Sequence, residues 1–171
     1  MKTRLLTLAL LSLFGILSCV DPAANLEQQN KEIITKAFEV VGAGDFDDMD
    51  NYISSNYIRH SQATPDLNIR SLSEFKEFIR QDRLVIPDQQ LEVKKLIAEG
   101  NLVAFWATYK GTQTGQMGPF PPSNKYVELD ISGYHRLENG KIAETWVIWD
   151  NISFLTQLGY FPPPPDQPDD E

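Results

Sequence analysis

The chain has 171 residues and is acidic, with 24 Asp and Glu side chains against 15 Lys and Arg and a formal charge of −9. Phosphate backbones repel such a chain, and no cluster of Lys or Arg offsets the repulsion, which excludes nucleic acid as a partner. The length suits one domain with a sizeable core, and a total of 2 His argues against a zinc site.

Residues 1–18 are predicted to be an export signal. Lys2 and Arg4 give a cationic start, and an uncharged, mostly apolar run from Leu5 to Leu17 follows. This run is shorter than the roughly 20 residues that a transmembrane helix needs. We therefore expect the segment to be cut off rather than to stay in the membrane.

Cys19 directly follows the apolar run. The sequence Ile16-Leu17-Ser18-Cys19 resembles the lipobox of bacterial lipoproteins, in which the cysteine is acylated and becomes the first residue. The alternative is a plain secretory signal with an incidental cysteine, but acylation explains why an exported chain would carry only one cysteine. We expect a lipid anchor in a bacterial membrane, with the outer membrane favoured, residues 19–25 as a tether and the domain extracytoplasmic.

The domain is predicted to span residues 26–160 and to begin with a helix. Apolar residues from Leu26 to Val41 recur at spacings of three, four and seven, and Gly42 and Gly44 follow them. This pattern predicts one amphipathic helix that ends at the two glycines.

Two shorter helical pieces are predicted next. The carboxylate-rich segment 45–50 is typical of a helix start, where negative charge is favoured. Residues 52–60 are a brief semi-apolar stretch with no assigned element. Ser71 and Glu74 form a capping box for a further helix that ends before Pro87.

From Gln89 onward the periodicity changes to two, which predicts strands joined by tight turns at residues 99–101 and 138–140. A glycine- and proline-rich loop at 111–124 is expected to form a rim or lid. The four predicted strands are Leu91–Ala98, Leu102–Lys110, Lys125–Arg136 and Lys141–Asp150.

A last helical turn is predicted after the strands, at residues 152–158. Asp150 is expected to cap its start and Gly159 its end. Residues 161–171 are rich in proline and acid and have nothing to bury, so we expect a disordered tail. Helices followed by a strand meander predict an α+β fold, with helices covering one face of a curved antiparallel sheet and a pocket between them.

Several motifs in this order resemble the SnoaL-like polyketide cyclases and the related ester cyclases. The resemblance runs over about residues 33–159 and implies the NTF2-like cone, a bent sheet wrapped by helices. The motifs are Pro87-Asp88, Leu96–Asn101, Gly111–Gly115, Asn139–Ile142 and Gln157–Gly159.

The resemblance also bears on catalysis. Cyclases of this family use an aspartate as general acid and base at the position after Trp146, where this chain has Val147. The family's loop often reads Gly-Thr-His, where this chain has Gln113. A valine cannot transfer a proton, so proton chemistry would need another residue.

No glycine-rich phosphate cradle or serine-nucleophile turn is present, and no cofactor or metal is expected.

Which side chains line the pocket depends on how the last two strands pair, because a slip of one residue exchanges their faces. A two-residue Asn139-Gly140 turn would turn Trp146 inward, whereas a three-residue loop with Gly140 left-handed would turn Val147 and Trp149 inward. We favour the three-residue loop, because buried charges without partners would cost several kcal/mol each. With this loop the charged side chains lie on the outer face of the sheet, away from the pocket: Glu128, Asp130, Arg136, Glu144 and Asp150.

The favoured register predicts a mainly aromatic and aliphatic pocket. His135 on its inner face, and His60, are the candidates for acid and base catalysis, because histidine exchanges a proton near neutral pH. The alternative for His135 is a core residue hydrogen-bonded to the backbone. The predicted ligand-binding residues are Tyr57, Trp106, Gln113, Ile131, Val147 and Trp149.

Three functions remain open at this point. The favoured one is binding of a small, mostly apolar molecule without chemistry, which needs only the apolar inner face and the loop 111–124. The second is a cofactor-free enzyme related to the ester cyclases, with His135 or His60 as acid and base. The third is a scaffold that forms a homodimer through the open sheet face around Trp146 and Ile148.

Overall fold

The computed structural model describes residues 22–161. The predicted signal peptide, Cys19 and nearly all of the predicted tail lie outside these residues. No helix in the described part of the chain is long and apolar enough to cross a membrane. The elements are α1 (Pro22–Ala43), α2 (Met49–Tyr52), β1 (Ile53–Ser61), α3 (Leu72–Val85), β2 (Gln90–Glu99), β3 (Leu102–Thr112), β4 (Tyr126–Glu138), β5 (Lys141–Trp149) and α4 (Asn151–Leu158).

Helix α1 confirms the first predicted helix but begins earlier. Residues 22–25, predicted as tether, already belong to it, because proline is favoured in a first helical turn and Ala23 and Ala24 are good helix formers. The helix ends before Gly44, whose φ of 72° is the left-handed conformation that glycine adopts freely. Its buried face carries Ile34, Ala37, Phe38, Val40 and Val41.

Helix α3 starts at the predicted capping box. The Glu74 amide donates to Ser71 Oγ at 3.2 Å, and the Glu74 carboxylate accepts from the backbone amide of Arg70 at 2.7 Å. The reciprocal bond therefore reaches one residue further back than the capping residue itself. Leu72, Phe75 and Ile79 form the buried face of the helix.

The five strands form one curved sheet in the order β1-β5-β4-β3-β2. Strands β2 to β5 pair antiparallel, as predicted, but β1 lies parallel to β5. Strand β1 is therefore an additional, parallel edge strand beyond the four antiparallel strands that the sequence predicted. The strand β1 is the stretch to which the sequence pattern gave no element, and only pairing with β5, more than 80 residues later, defines it.

The last hairpin has the two-residue turn, and the favoured three-residue loop was wrong. Asn139 and Gly140 have φ of 51° and 71°, and Glu138 pairs with Lys141. Asn-Gly suits such a turn because both residues tolerate positive φ. A bulge then shifts the register, so that Leu137 lies opposite Ile142 but Arg136 lies opposite Glu144.

Because of this bulge, the side chains of β5 beyond it face the sides that the favoured register predicted, although the turn itself is different. Ala143 is the extra residue that has no partner in the ladder, and a bulge of this kind reverses which side chains face inward beyond it. Val147 and Thr145 consequently lie on the inner face with His135. Arg136 and Glu144 lie outside and contact each other at 3.1 Å.

Helices and sheet enclose the core on the inner face. A second, smaller cluster under α4 holds Ile86, Val127, Leu129 and Leu158. Helix α4 begins as predicted at Asp150, whose Oδ1 accepts from the amides of Ile152 and Ser153 at 2.9 and 3.1 Å, and ends at Gly159 with φ 82°. The architecture is the α+β class expected from the sequence.

Candidate functional site

A cavity of about 790 Å³ lies between the inner face of the sheet and the helices. This volume is in the range of small-molecule sites. Its walls are mostly aromatic and aliphatic, and the loop residues 117–120 and the segment 63–67 contribute to its lining. The apolar walls include Phe38, Phe75, Phe78, Phe105, Leu129, Ile131 and Val147.

Four of the six predicted ligand-binding residues line this cavity, namely Tyr57, Ile131, Val147 and Trp149. Tyr57 is 3% exposed, and burial raises the pKa of its phenol to about 12, so that the hydroxyl stays neutral. The Thr145 side chain on β5 partly opposes this rise. Val147 follows Thr145 by two residues on the same inner face of β5, as a result of the bulge in that strand.

Trp106 does not line the cavity. It follows the inward-facing Phe105 on β3, and because successive strand residues point to opposite faces, its side chain lies on the outer face of the sheet. The residue is 50% exposed. Its prediction as a ligand contact is corrected.

Gln113 is fully buried but also lies outside the cavity lining. Its Nε2 donates to the carbonyls of Gly115 and Pro121 at 2.7 and 3.1 Å. Its Oε1 accepts from the Ser123 amide at 2.8 Å and from the Tyr160 hydroxyl at 2.9 Å. The side chain ties the long loop together, which is a structural role rather than the predicted ligand contact.

His135 lines the cavity as predicted and is 7% exposed. Its Nδ1 lies 2.8 Å from Thr145 Oγ1, a side-chain partner rather than the backbone partner of the alternative interpretation. Its Nε2 has no partner among the described residues, and its ring stacks on Phe105 at 4.7 Å. Burial lowers the pKa of the imidazole to about 3, so His135 is neutral near pH 7 and is a weak base.

His60 faces away from the cavity. On β1 the residues Tyr57 and Arg59 are buried, and His60 points to the opposite face. Its Nε2 lies 2.7 Å from Glu144 Oε1, and its ring stacks on Trp146 at 4.8 Å. The bond with His60, followed by the Arg136 guanidinium, holds the pKa of Glu144 below its usual value. The two histidines therefore lie on opposite faces of the sheet, and only His135 lines the cavity.

A polar cluster on one cavity wall was not predicted from the sequence. Asp82, in the last turn of α3, accepts on Oδ2 from the Tyr109 hydroxyl at 3.1 Å and from Gln89 Nε2 at 3.0 Å. All three side chains line the cavity. Burial raises the pKa of the Asp82 carboxyl, although the bonds from Tyr109 and Gln89 partly oppose the rise.

Arg59 supplies the positive charge of the same cavity. The residue is 8% exposed, and its Nη1 donates to Thr64 Oγ1 at 3.1 Å. Its guanidinium lies over the rings of Phe78 and Trp149, at 4.9 and 5.6 Å from their centroids. Burial lowers the pKa of Arg59, but a guanidinium remains protonated in proteins.

The sequence did carry a signal for Asp82. In α3 the apolar residues Phe75, Phe78 and Ile79 mark the buried stripe, and Asp82 follows Phe75 by seven and Phe78 by four. Those spacings place it on the same helix face. A carboxylate on an apolar helix stripe indicates a cavity or a partner.

Comparison with known proteins identifies one family and one fold. The family model described as SnoaL-like polyketide cyclase matches residues 31–158. Among curated proteins no sequence match was found.

Solved structures of similar fold come from several bacteria. The candidate polyketide cyclase IdmH from Streptomyces antibioticus is 25% identical with a TM-score of 0.69, over 77% of this chain and 99% of that one. A candidate SnoaL-like polyketide cyclase from Jannaschia is 19% identical with a TM-score of 0.72, over 81% and 96%. AclR, a candidate hydroxylase from Streptomyces galilaeus, is 23% identical with a TM-score of 0.70, over 81% and 90%.

Proposed function

The chain belongs to the SnoaL-like polyketide cyclase family, and we propose that its domain binds one small, mostly apolar molecule inside the cone. The observation that carries this proposal is the cavity of about 790 Å³, with apolar walls and polar groups gathered on one side. Apolar walls with a few placed polar groups are typical of small-molecule sites.

The polar wall defines the kind of ligand. Arg59 offers a cation, and Asp82 and Tyr109 offer a carboxyl and a hydroxyl. His135 adds a neutral ring nitrogen without a partner among residues 22–161. A ligand that is apolar over most of its surface and carries an oxygen at one end would satisfy these groups, because buried polar atoms require hydrogen-bond partners.

The second candidate function is a cofactor-free enzyme of the ester-cyclase or polyketide-cyclase kind. The similar structure IdmH is a candidate polyketide cyclase, which supports this alternative at the level of the family. The acid and base predicted from the sequence do not support it. His135 has its pKa lowered to about 3, and His60 lies on the outer face, so a different residue would have to transfer the proton.

The cellular setting remains a proposal that rests on the first residues of the chain. Lys2 and Arg4, the apolar run and Cys19 support export and a lipid anchor in a bacterial membrane, which would place the domain outside the cytoplasm. Mass spectrometry of the purified protein tests this. A chain that begins at an acylated Cys19 supports the anchor, and one that retains Met1 excludes it.

Homodimer formation is also a proposal. The outer face of the sheet exposes Trp106, Tyr134 and Ile148 at 50%, 40% and 52%, and exposed apolar patches often mark interfaces. Light scattering after size-exclusion chromatography distinguishes a monomer from a dimer. A Trp106→Lys variant should dissociate a dimer that uses this face.

Ligand binding is tested with an apolar fluorescent probe and two adjacent positions of β5. We expect 1-anilinonaphthalene-8-sulfonate to bind with blue-shifted emission and one site per chain, because its rings fit the apolar walls and its sulfonate can meet Arg59. Val147→Phe fills the cavity and should weaken binding at least ~10-fold, about 1.4 kcal/mol. Ile148→Phe, on the outer face, is the matched control and should leave binding unchanged.

The two variants also separate cavity binding from adsorption to the exposed face. Equal affinities for Val147→Phe and Ile148→Phe would contradict a site inside the cone. Circular dichroism of both variants establishes that each remains folded before the affinities are compared.

A further inference from the structure

Asp82 has the geometry of a proton-transfer group rather than of a structural carboxylate. Both hydrogen bonds to its carboxylate fall on Oδ2. Its Oδ1 accepts no hydrogen bond from residues 22–161, and the side chain lines the cavity. Tyr109 and Gln89 thus hold one oxygen in place and leave the other for a ligand atom.

Asp82 is also not neutralised by a direct ion pair. Arg59 is near enough for its charge to lower the Asp82 pKa, yet within the described chain the only hydrogen-bond partner of its guanidinium is Thr64. The guanidinium is held by the rings of Phe78 and Trp149. A carboxylate and a cation that line one apolar cavity without pairing can each meet a different atom of a bound molecule.

We propose that Asp82 is a catalytic acid and base that moves a proton at a carbon next to the carbonyl of an apolar ketone held in the cavity. This inference rests on the proposed binding function. The family's aspartate position after Trp146 is Val147 on β5, whereas Asp82 reaches the same cavity from helix α3.

The step is a proton transfer that balances without a cofactor. The Asp82 carboxylate takes the proton from the carbon, and the electron pair of the broken C–H bond moves onto the carbonyl oxygen to form an enolate. Arg59 faces the negative oxygen and stabilises it. The protonated Asp82 then returns the proton to the same carbon, or to a conjugated carbon when the ketone is unsaturated.

The surroundings of Asp82 adjust its basicity for this step. Burial raises the carboxyl pKa, and the opposing groups are Tyr109, Gln89, Arg59 and Arg83. A higher pKa makes the carboxylate a stronger base at neutral pH. His135, which shares the cavity, contributes no charge there because burial lowers its pKa to about 3.

The test measures hydrogen exchange into 2-tetralone, an apolar bicyclic ketone. The full chain is incubated with the ketone in deuterated buffer, and proton NMR follows the loss of the signals next to the carbonyl. We expect exchange faster than in buffer alone, with a rate that saturates as ketone is added. Asp82→Asn should lower the protein-dependent rate by about 100-fold or more, the typical value of general acid and base catalysis.

Glu77→Gln is the matched control for Asp82→Asn. Glu77 also belongs to α3, but its side chain is 58% exposed on the solvent side, so removal of its charge should leave exchange unchanged. An Asp82→Asn variant that exchanges as fast as the original chain overturns the proposal. Its fold is checked by thermal unfolding, and its retained binding of 2-tetralone by ligand-observed NMR.

A separate binding measurement keeps the two proposals apart. If 2-tetralone binds to the original chain and no exchange above buffer occurs, binding stands and catalysis by Asp82 is refuted. If 2-tetralone does not bind, the catalytic proposal is refuted, whereas the proposed binding function is decided by the titration with 1-anilinonaphthalene-8-sulfonate.

Tyr109 is a positioning residue in this scheme, and Tyr109→Phe provides an independent readout. Its hydroxyl bond to Oδ2 favours the charged carboxylate, so its removal should raise the pKa of Asp82. The rising acid limb of the pH–rate profile should then move to higher pH. An unchanged profile would refute the assigned role of Tyr109, because a merely structural role would not move the profile.

Discussion

His135 should make this domain sensitive to mild acid. The imidazole is buried among Phe38 and Phe105, with one ring nitrogen bonded to Thr145 and the other without a partner in the described chain. Protonation would introduce a charge into an apolar wall. We predict that replacing His135 by Met, which has a flexible apolar side chain of similar size, removes this sensitivity.

The magnitude follows from the two pKa values of the imidazole. Its pKa is about 6.5 in an unfolded chain and about 3 in the folded protein. Since the unfolded chain binds the proton more readily, stability is fully present above pH ~6.5 and is lost as the pH falls toward 3. At pH 5 this single group should cost about 2 kcal/mol relative to pH 8, rising to about 4 kcal/mol near pH 3.

The assay is urea unfolding followed by tryptophan fluorescence at pH 8 and pH 5, without added ligand. The difference in unfolding free energy between the original chain and His135→Met should change by about 2 kcal/mol between the two pH values. His60→Gln is the matched control, since it removes the other histidine and leaves the His135 contribution in place. An equal pH dependence for the original chain and His135→Met would refute the reasoning.

Three further substitutions test the framework around the cavity. Gln113→Ala leaves several buried loop groups without partners and should lower the unfolding free energy by about 3 kcal/mol, measured in urea, whereas the exposed Gln116→Ala should change it little. Gly133→Ala would place Cβ 1.9 Å from the Trp146 carbonyl oxygen, and we expect loss of the near-ultraviolet dichroism of a packed core. Asp150→Ala removes the cap of α4 and should lower the unfolding free energy by about 1 kcal/mol in the same urea assay. A variant of the three that is as stable as the original chain would contradict the contacts assigned to that residue.

Local patterns were sufficient for most of the elements. The apolar spacing from Leu26 to Val41 and the capping box at Ser71 predicted α1 and α3, and strict alternation predicted the strands β2 to β5. Each of these signals lies within a window of about a dozen residues, where backbone geometry alone fixes which side chains share a face. Asp150 as a helix cap was predictable for the same reason.

The first strand and the last hairpin show where local patterns fail. Strand β1 has a register shift between Ile53 and Ile58, and its partner β5 is distant in sequence, so no local alternation marks it clearly. The hairpin has the turn that Asn139-Gly140 favours, yet its faces are decided by a bulge at Ala143. A bulge depends on packing across the sheet rather than on the turn residues.

By itself the sequence determined the α+β class, the family resemblance and an apolar inner face, because these depend on periodicity and on motifs that are contiguous in the chain. Only the tertiary structure decided which polar groups share the cavity. It placed His60 outside, and it brought Arg59, Asp82 and Tyr109 together from β1, α3 and β3. Side chains from separate elements come into contact only when the strands have paired and the helices have packed on the sheet. The chemistry of the site depends on which polar side chains then share the cavity.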